Sequence, residues 1–338
     1  MRAFVITGPG EAGVEDVAEP VPGPGEAVVA VDRAGVCGTD VELFTGQMSY
    51  LHTGLARYPV RIGHEWAGVV CAVGDGVDRS WLGRRVTGDT MLGCGACARC
   101  TGGRQHLCAD RYEIGIRGGW PGALAEALLV PVRALVPLPD DVDPTLGALI
   151  EPGGNALRSV RGADLRPGER LLIIGPGTIG LLAAWIAAAR GAEVHLLGRG
   201  DESLAFARSV GFRHAWTRAT LPDLRYDAVI DASNAPGAPA LAVQLVEPGR
   251  RVVYVGLAGE PSLVDSRDIA LKDVTVVGVL SASGALAGTA ELYASGAVDP
   301  RPLVAATVGL SGAGAVLAGR RPPEWGGAPK VLVDPRRQ

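Results

Sequence analysis

Four of the six cysteines fall in one short stretch, "GCGACARCTGGRQHLC", as Cys94, Cys97, Cys100 and Cys108. The spacing C-x2-C-x2-C-x7-C lets four thiolates converge on one tetrahedral zinc and leaves no coordination position open. Such a site is structural and does no chemistry. Two disulfides would be the alternative, and they suit a secreted chain better than one without an export signal. A second donor set is dispersed. "AGVCGTDVELFTG" carries Cys37, Thr39 and Asp40, and "RIGHEWAGVVCAVGDGV" carries His64 and Glu65. Thiolate, imidazole and carboxylate together can form a zinc shell that stays open to a substrate oxygen. Taken singly the signals are weak, since a lone Cys in a Val-rich strand context is more often core and a lone His more often a satisfied hydrogen-bonding residue. Cys71, inside "VVCAV", reads as a small core hydrophobe.

A third motif, "GPGTIG", follows the apolar run "RLLII" and leads into "LLAAWIAAAR". Strand, glycine turn and helix in that order form the phosphate-binding start of a dinucleotide domain. Gly175 permits the tight turn, Gly177 admits the pyrophosphate and Gly180 lets helix pack on strand, with Thr178 and Ile179 opening the helix. An acid at the end of the next strand would chelate the adenosine ribose and select NAD. That place holds Gly198, followed by Arg199. The missing carboxylate and the adjacent guanidinium favour NADP(H) over NAD(H). The competing readings are a solvated turn, or Asp201 or Glu202 reaching back to the ribose. Asn234 and Gly259, near the ends of later strand runs, would line the nicotinamide side.

These residues need elements to position them. Residues 1–150 show short strand-like runs separated by turn signals, which predicts a mostly β, barrel-type domain. From Glu151 the runs "RLLIIG", "EVHLLG", "YDAVIDA", "RRVVYVG" and "VTVVGVL" are apolar throughout, with helix-like segments between several of them. Strands buried on both faces predict a parallel, doubly wound Rossmann sheet over residues 151–289. Residues 290–338 return to a mixed texture and end in the strand candidate "PKVLVDP". The whole is an α/β protein of two domains.

In their order along the chain, these motifs resemble the zinc-containing medium-chain dehydrogenase/reductases, in the alcohol and polyol dehydrogenase branch. Gly63 through Val77 fit the pattern G-H-E-x2-G-x5-G-x2-V, and "CGTD", the four-cysteine loop and "GPGTIG" match as well. The resemblance covers nearly the whole chain and implies a GroES-like barrel as the catalytic domain, with two zinc ions per chain. It implies Cys37 and His64 as catalytic zinc ligands, Glu65 in or just outside the shell, and Glu151 of "IEP" as a further ligand. Asp40 would orient His64, and Thr39 would bind the substrate oxygen and relay its proton. Many relatives place a histidine five residues after the ligand cysteine. Here Glu42 stands there, either as the outer end of the relay or as a surface acid. Lys330 falls where relatives place a basic residue near the cofactor phosphates, though a surface lysine would look the same.

The expected activity is hydride transfer between NADP(H) and a secondary alcohol/ketone pair. Gly153 and Gly154, where relatives carry bulkier residues, would leave room for a broad polar substrate unless they merely start a helix. With Glu42, they point to a polyol, sugar or aminocyclitol. "GHEWAG" is similar to the equivalent stretch in dehydrogenases of aminocyclitol antibiotic pathways, which would place the reaction in secondary metabolism. The competing functions are a zinc-free quinone or enoyl reductase and a non-catalytic NADPH-binding protein. Relatives are commonly homodimers or homotetramers.

The 338 residues are 47% hydrophobic and 20% charged, with a net charge of -4, so the chain can bury a large core. That charge argues against nucleic acid or a membrane as a partner. The N-terminus has no signal-peptide pattern, and the expected location is the cytoplasm.

Overall fold

The computed structural model describes residues 1–337. Its centre of gravity near the N-terminus is a mostly antiparallel sheet built on the long strand Glu26–Gly35. That strand pairs with Glu65–Val73 on one side and with Lys330–Asp334 on the other, and also with Ala127–Pro131. Its alternating Val and Ala residues put Ala27, Val29 and Val31 into a core shared with Phe4, Ile62, Trp66 and Leu128. The register matters more than the packing. Gly35 lies opposite Glu65, and Leu332 lies opposite Gly35. Cys37, His64, Glu65 and Lys330 therefore meet at the same end of three adjacent strands.

The second unit is a six-stranded parallel sheet. Numbered in chain order, its strands lie 3-2-1-4-5-6, the doubly wound order that opens a crevice where the winding reverses. Strands 1 and 2 are Arg170–Ile174 and Glu193–Leu197. Strands 4, 5 and 6 are Tyr226–Asp231, Val246–Tyr254 and Thr275–Gly278. All five match apolar runs in the sequence. Strand 3, Ala215–Trp216, is only two residues long and left no such signal. Each sheet face buries its own core. Leu171 and Ile173 meet the helices Ile150–Ala163 and Thr178–Ala189, whereas Leu172 and Ile174 face Ala238–Leu245.

The chain leaves this unit later than the change of texture at residue 290. Helix Leu286–Ala294 and Leu303 still pack in the parallel-sheet core, and the barrel resumes with the strands Val304–Gly309 and Lys330–Asp334. Cys71 is a second difference. It lies on the exposed side of its strand with its thiol on the Val28 carbonyl, because alternation turns Val70 inward. Among the described residues, no helix is long and apolar enough to cross a membrane.

Candidate active site

Cys37 and His64 are 27 positions apart in sequence, but they flank the paired strand ends. The Cys37 sulfur, a His64 ring nitrogen and a Glu65 carboxylate oxygen all lie within 4.8 Å of one another. Asp40 ties the two loops together. Its Oδ2 accepts from the Cys37 N–H at 2.9 Å, and its Oδ1 accepts from the Gly63 N–H at 3.3 Å. The first bond also caps the helix Gly38–Thr45. His64 is buried, and its Nδ1 has no hydrogen-bond partner but lies 3.6 Å from Asp40 Oδ1. With Nδ1 turned to Asp40, Nε2 is the atom left to ligate, the usual division for a metal-bound imidazole. Burial opposes a charge on His64, yet Asp40 and the Cys37 sulfur outweigh it and hold the imidazole pKa well above its ordinary value. A thiolate and an imidazole converging in a buried, acid-backed site fit a zinc ion.

Glu65 is the third donor, but it is already paired. Lys330 Nζ donates to both of its oxygens, at 2.6 and 2.9 Å, and to the Val36 carbonyl at 3.0 Å. Both side chains are buried. Gly35 makes room for this arrangement, since a Cβ there would come within 2.0 Å of Glu65 Oε2. Lys330 therefore does not stand free at the cofactor phosphates as the sequence suggested. Two of its N–H bonds balance the Glu65 charge behind Cys37 and His64, and the third is spent on the Val36 carbonyl. The pairing was not legible in the sequence because 265 residues separate the partners.

Glu151 begins the helix Ile150–Ala163 and reaches the same region, within the electrostatic field of His64 and Glu65. It falls outside the tight three-donor group. Burial raises its pKa to about 7, aided by Glu65 and opposed by His64. Asn155, one turn on, donates to its Oε1 at 2.9 Å, a contact whose only mark in the sequence is the i, i+4 spacing. Gly153 and Gly154 do not open space for a substrate. A Cβ at Gly153 would lie 2.1 Å from the Tyr293 hydroxyl, and one at Gly154 would lie 2.7 Å from Ala282 Cβ. These glycines are small because helix Leu286–Ala294 and its preceding loop pack against them. Thr39 and Glu42 stand one turn apart on the helix Gly38–Thr45, with Thr39 Oγ1 4.0 Å from the Cys37 sulfur. Burial raises the Glu42 pKa.

The four-cysteine loop is folded for a metal. Sulfur–sulfur separations are 3.6 Å for Cys97–Cys100, 3.8 Å for Cys97–Cys108 and 3.9 Å for Cys94–Cys100. A tetrahedron of Zn–S bonds near ~2.3 Å has edges of about 3.8 Å. Backbone N–H groups of Cys94 and Cys97 point at the Cys108 and Cys94 sulfurs.

At the parallel sheet, Gly175 has φ 97, a left-handed conformation in which the turn needs glycine. A Cβ at Gly180 would come within 2.0 Å of the Gly175 carbonyl, so helix and strand touch there. At Gly177 a Cβ would meet nothing within 4 Å, so the backbone is open to an approaching phosphate beside Thr178 and Ile179. Gly198 has a packing cause of its own, because a Cβ would lie 2.9 Å from Pro176 Cγ and 3.0 Å from Leu204 Cδ2. Arg199 is exposed, and among the described residues no carboxylate lies within ion-pair distance of it. Strand 4 ends at Asp231, whose Oδ1 accepts from Ser233, so Asn234 lies beyond the strand end.

A barrel that brings Cys37, His64 and Glu65 to metal-ligand spacing, joined to a dinucleotide-type sheet, has the architecture of a two-domain oxidoreductase. A family model for the alcohol dehydrogenase GroES-like domain matches residues 23–140, and one for zinc-binding dehydrogenases matches residues 178–295. The L-threonine 3-dehydrogenase of Saccharopolyspora erythraea is 34% identical over 292 residues, covering 82% of this chain and 83% of that enzyme. A zinc-binding dehydrogenase from Sinorhizobium meliloti 1021, solved bound to NADP, is 30% identical with a TM-score of 0.88, covering 99% of each chain. An alcohol dehydrogenase from E. coli CFT073, solved with NADH, is 26% identical with a TM-score of 0.89 and the same coverage. The chain belongs to the zinc-type medium-chain dehydrogenase/reductases.

Proposed function

We propose that this protein is a zinc-dependent dehydrogenase that moves a hydride between NADP(H) and a secondary alcohol/ketone pair. The observation that carries the reading is the convergence of Cys37, His64 and Glu65 at one end of the barrel sheet. A zinc ion held by Cys37 and His64 would polarise the substrate oxygen, while the nicotinamide carries the hydride. The chain's own residues do the rest. Asp40 faces His64 Nδ1 with its negative charge, and Lys330 holds the Glu65 charge in place. Glu151 is the further candidate ligand. Thr39 accepts or returns the substrate hydroxyl proton, and Glu42, one turn on, passes it toward solvent. Burial raises the pKa of the half-buried Glu42 carboxyl, so it takes up a proton more readily than a fully solvated acid would.

NADP(H) is preferred in this reading because Arg199 stands at the ribose end with no acid beside it on the strand. Gly198 adds little to the preference, since packing alone requires a glycine there. The substrate is a polyol, sugar or aminocyclitol in secondary metabolism. The similarity to threonine dehydrogenases supports a secondary hydroxyl flanked by another polar group. A four-thiolate zinc site needs reduced cysteines, which fits the cytoplasm.

The test compares kcat/KM for NADPH and NADH over a panel of polyols, amino alcohols and their ketones. Wild type should favour NADPH, and Arg199→Ala should reduce that preference by roughly 10- to 100-fold, as for loss of a charge-assisted contact. A wild-type preference for NADH would overturn the cofactor assignment. Gly198→Asp is a poor substitute, because its side chain would displace Pro176.

A further inference from the structure

Three residues on from Arg199, at Glu202 and Ser203, the structure holds a cavity that includes neither the glycine turn nor the Cys37–His64 pair. The helix Asp201–Ser209 follows the turn Gly198–Gly200 at the carboxyl edge of strand 2. Facing its first turn is a segment of the other domain, Arg321–Pro329, which runs out from the barrel before the strand Lys330–Asp334. The two touch closely at Gly327, where a Cβ would lie 2.9 Å from both the Glu202 carbonyl and Phe206 Cβ. Between them lies a cavity of about 430 Å³, lined by Glu202, Ser203, Arg321, Pro323 and Gly326 among others. Small-ligand sites run from about 300 to 1,000 Å³, so this one suits part of a ligand, such as a phosphorylated ribose.

Arg321 is the cation of this cavity. Its guanidinium donates to the Ala328 carbonyl and lies 5.7 Å from the Trp325 ring centroid. Among the described residues, no carboxylate lies within ion-pair distance of it or of Arg199. A planar guanidinium held by a ring and one carbonyl keeps further N–H groups free for a bidentate anion contact. The opposing charge on the rim is Glu202, whose Cγ packs toward Gly327. Arg199 precedes Glu202 by three residues, in the turn that leads into the same helix.

We infer that Arg321 is a second 2′-phosphate ligand, which closes the adenosine end of the cofactor cleft from the barrel side opposite Arg199. This rests on the NADP(H) reading above. It goes further in making cofactor choice a property of both domains, so that the 2′-phosphate draws the C-terminal segment onto the Rossmann unit. With NADH the same cavity offers Glu202 to the ribose hydroxyls and leaves Arg321 without an anion.

Titration calorimetry of the zinc-loaded enzyme with NADPH, NADH and 2′,5′-ADP tests the inference. Arg321→Ala should weaken NADPH and 2′,5′-ADP by ~10- to 100-fold and leave NADH within about 3-fold. Arg321→Lys should recover part of the loss, because charge returns without the fork. Unchanged NADPH affinity in Arg321→Ala, with Arg199→Ala still impaired, overturns the role of Arg321 and leaves the NADP(H) reading standing. Equal losses for NADPH and NADH also overturn it, since they show a packing effect. Wild type that binds NADH as tightly as NADPH overturns both. Glu202→Gln separates the two charges: it should tighten NADPH and weaken NADH.

Discussion

Replacing Cys37 by alanine removes a thiolate that no neighbouring group can supply. The side chain is half-buried at a strand end, so the barrel should fold without it. Metal analysis should then find one zinc per chain instead of two, with the four-cysteine loop still loaded. Turnover should fall by about three orders of magnitude or more, the rate equivalent of ~4 kcal/mol of lost oxygen polarisation. One zinc per chain in the wild type would sink the catalytic-metal assignment. Residue types and spacing made this much visible, because a metal shell needs particular atoms in particular numbers. What the spacing concealed were the partners of these residues. Lys330 looked like a phosphate contact because a lone lysine before a strand says nothing about what it faces, and only the register Leu332 opposite Gly35 brings it to Glu65. Gly198 looked like an absent acid, yet Pro176 already fills the direction its side chain would take.

Between neighbouring elements, the packing of helix Ile150–Ala163 on helix Leu286–Ala294 gives a sharper test of the two glycines than any substrate survey. Gly153→Ala should destabilise the fold by about 1–3 kcal/mol, the usual cost of overpacking, because the new methyl meets the Tyr293 hydroxyl. Tyr293→Phe removes that oxygen along with its 3.2 Å bond to the Leu149 carbonyl. The double variant should therefore lose less than the sum of the single ones in denaturant unfolding, and strict additivity would count against the contact. A second pairing links strands 1 and 2, where Arg170 lies opposite Glu193. Arg170 and then His195 hold the Glu193 pKa down to about 2. Trp216 donates to His195 Nδ1 at 3.1 Å, which leaves Nε2 to donate to Glu193 at 2.8 Å. Glu193, His195 and His214 are close enough to suggest a metal, but these bonds already occupy the first two. Because the folded-state pKa lies below the unfolded value of about 4.3, the network stabilises above that pH and fades as pH falls toward 2. Glu193→Gln should lower Tm at pH 7, modestly given the solvent exposure of the pair, and the gap from wild type should close in acid. A gap that stays constant down to pH 2 would rule the linkage out. Apolar runs revealed strands 1, 2, 4, 5 and 6, because burial on both faces demands them. They could not reveal strand 3, whose two residues are shorter than any period.

For the molecule as a whole, the parallel sheet ends in a strand whose outer edge is unpaired among the described residues. Thr275–Gly278 is its last strand, and Thr275, Val276 and Gly278 are exposed. From Val274 to Leu280 the sequence holds no charge and no proline, the devices that usually keep an open edge from pairing. Lys272 could have guarded it, but its ammonium donates to the carbonyls of Val243, Gln244 and Val246. Leu257, Leu263, Leu271 and Leu280 are exposed as well, Leu263 to 91% of its possible area, and all belong to this end of the chain's parallel unit. Unpaired backbone groups beside exposed leucines fit a second copy related by a twofold axis, which would pair edge with edge and bury both sets at once. The oligomer proposed from this edge is a homodimer, or a homotetramer built from such dimers. Light scattering should give at least twice the 34.7 kDa of one chain. Val276→Lys places a charge on the edge without touching either core, so it should halve the assembly while circular dichroism stays native. An assembly of unchanged mass in Val276→Lys would place the interface elsewhere, and a wild-type monomer would mean that the edge stays open in solution.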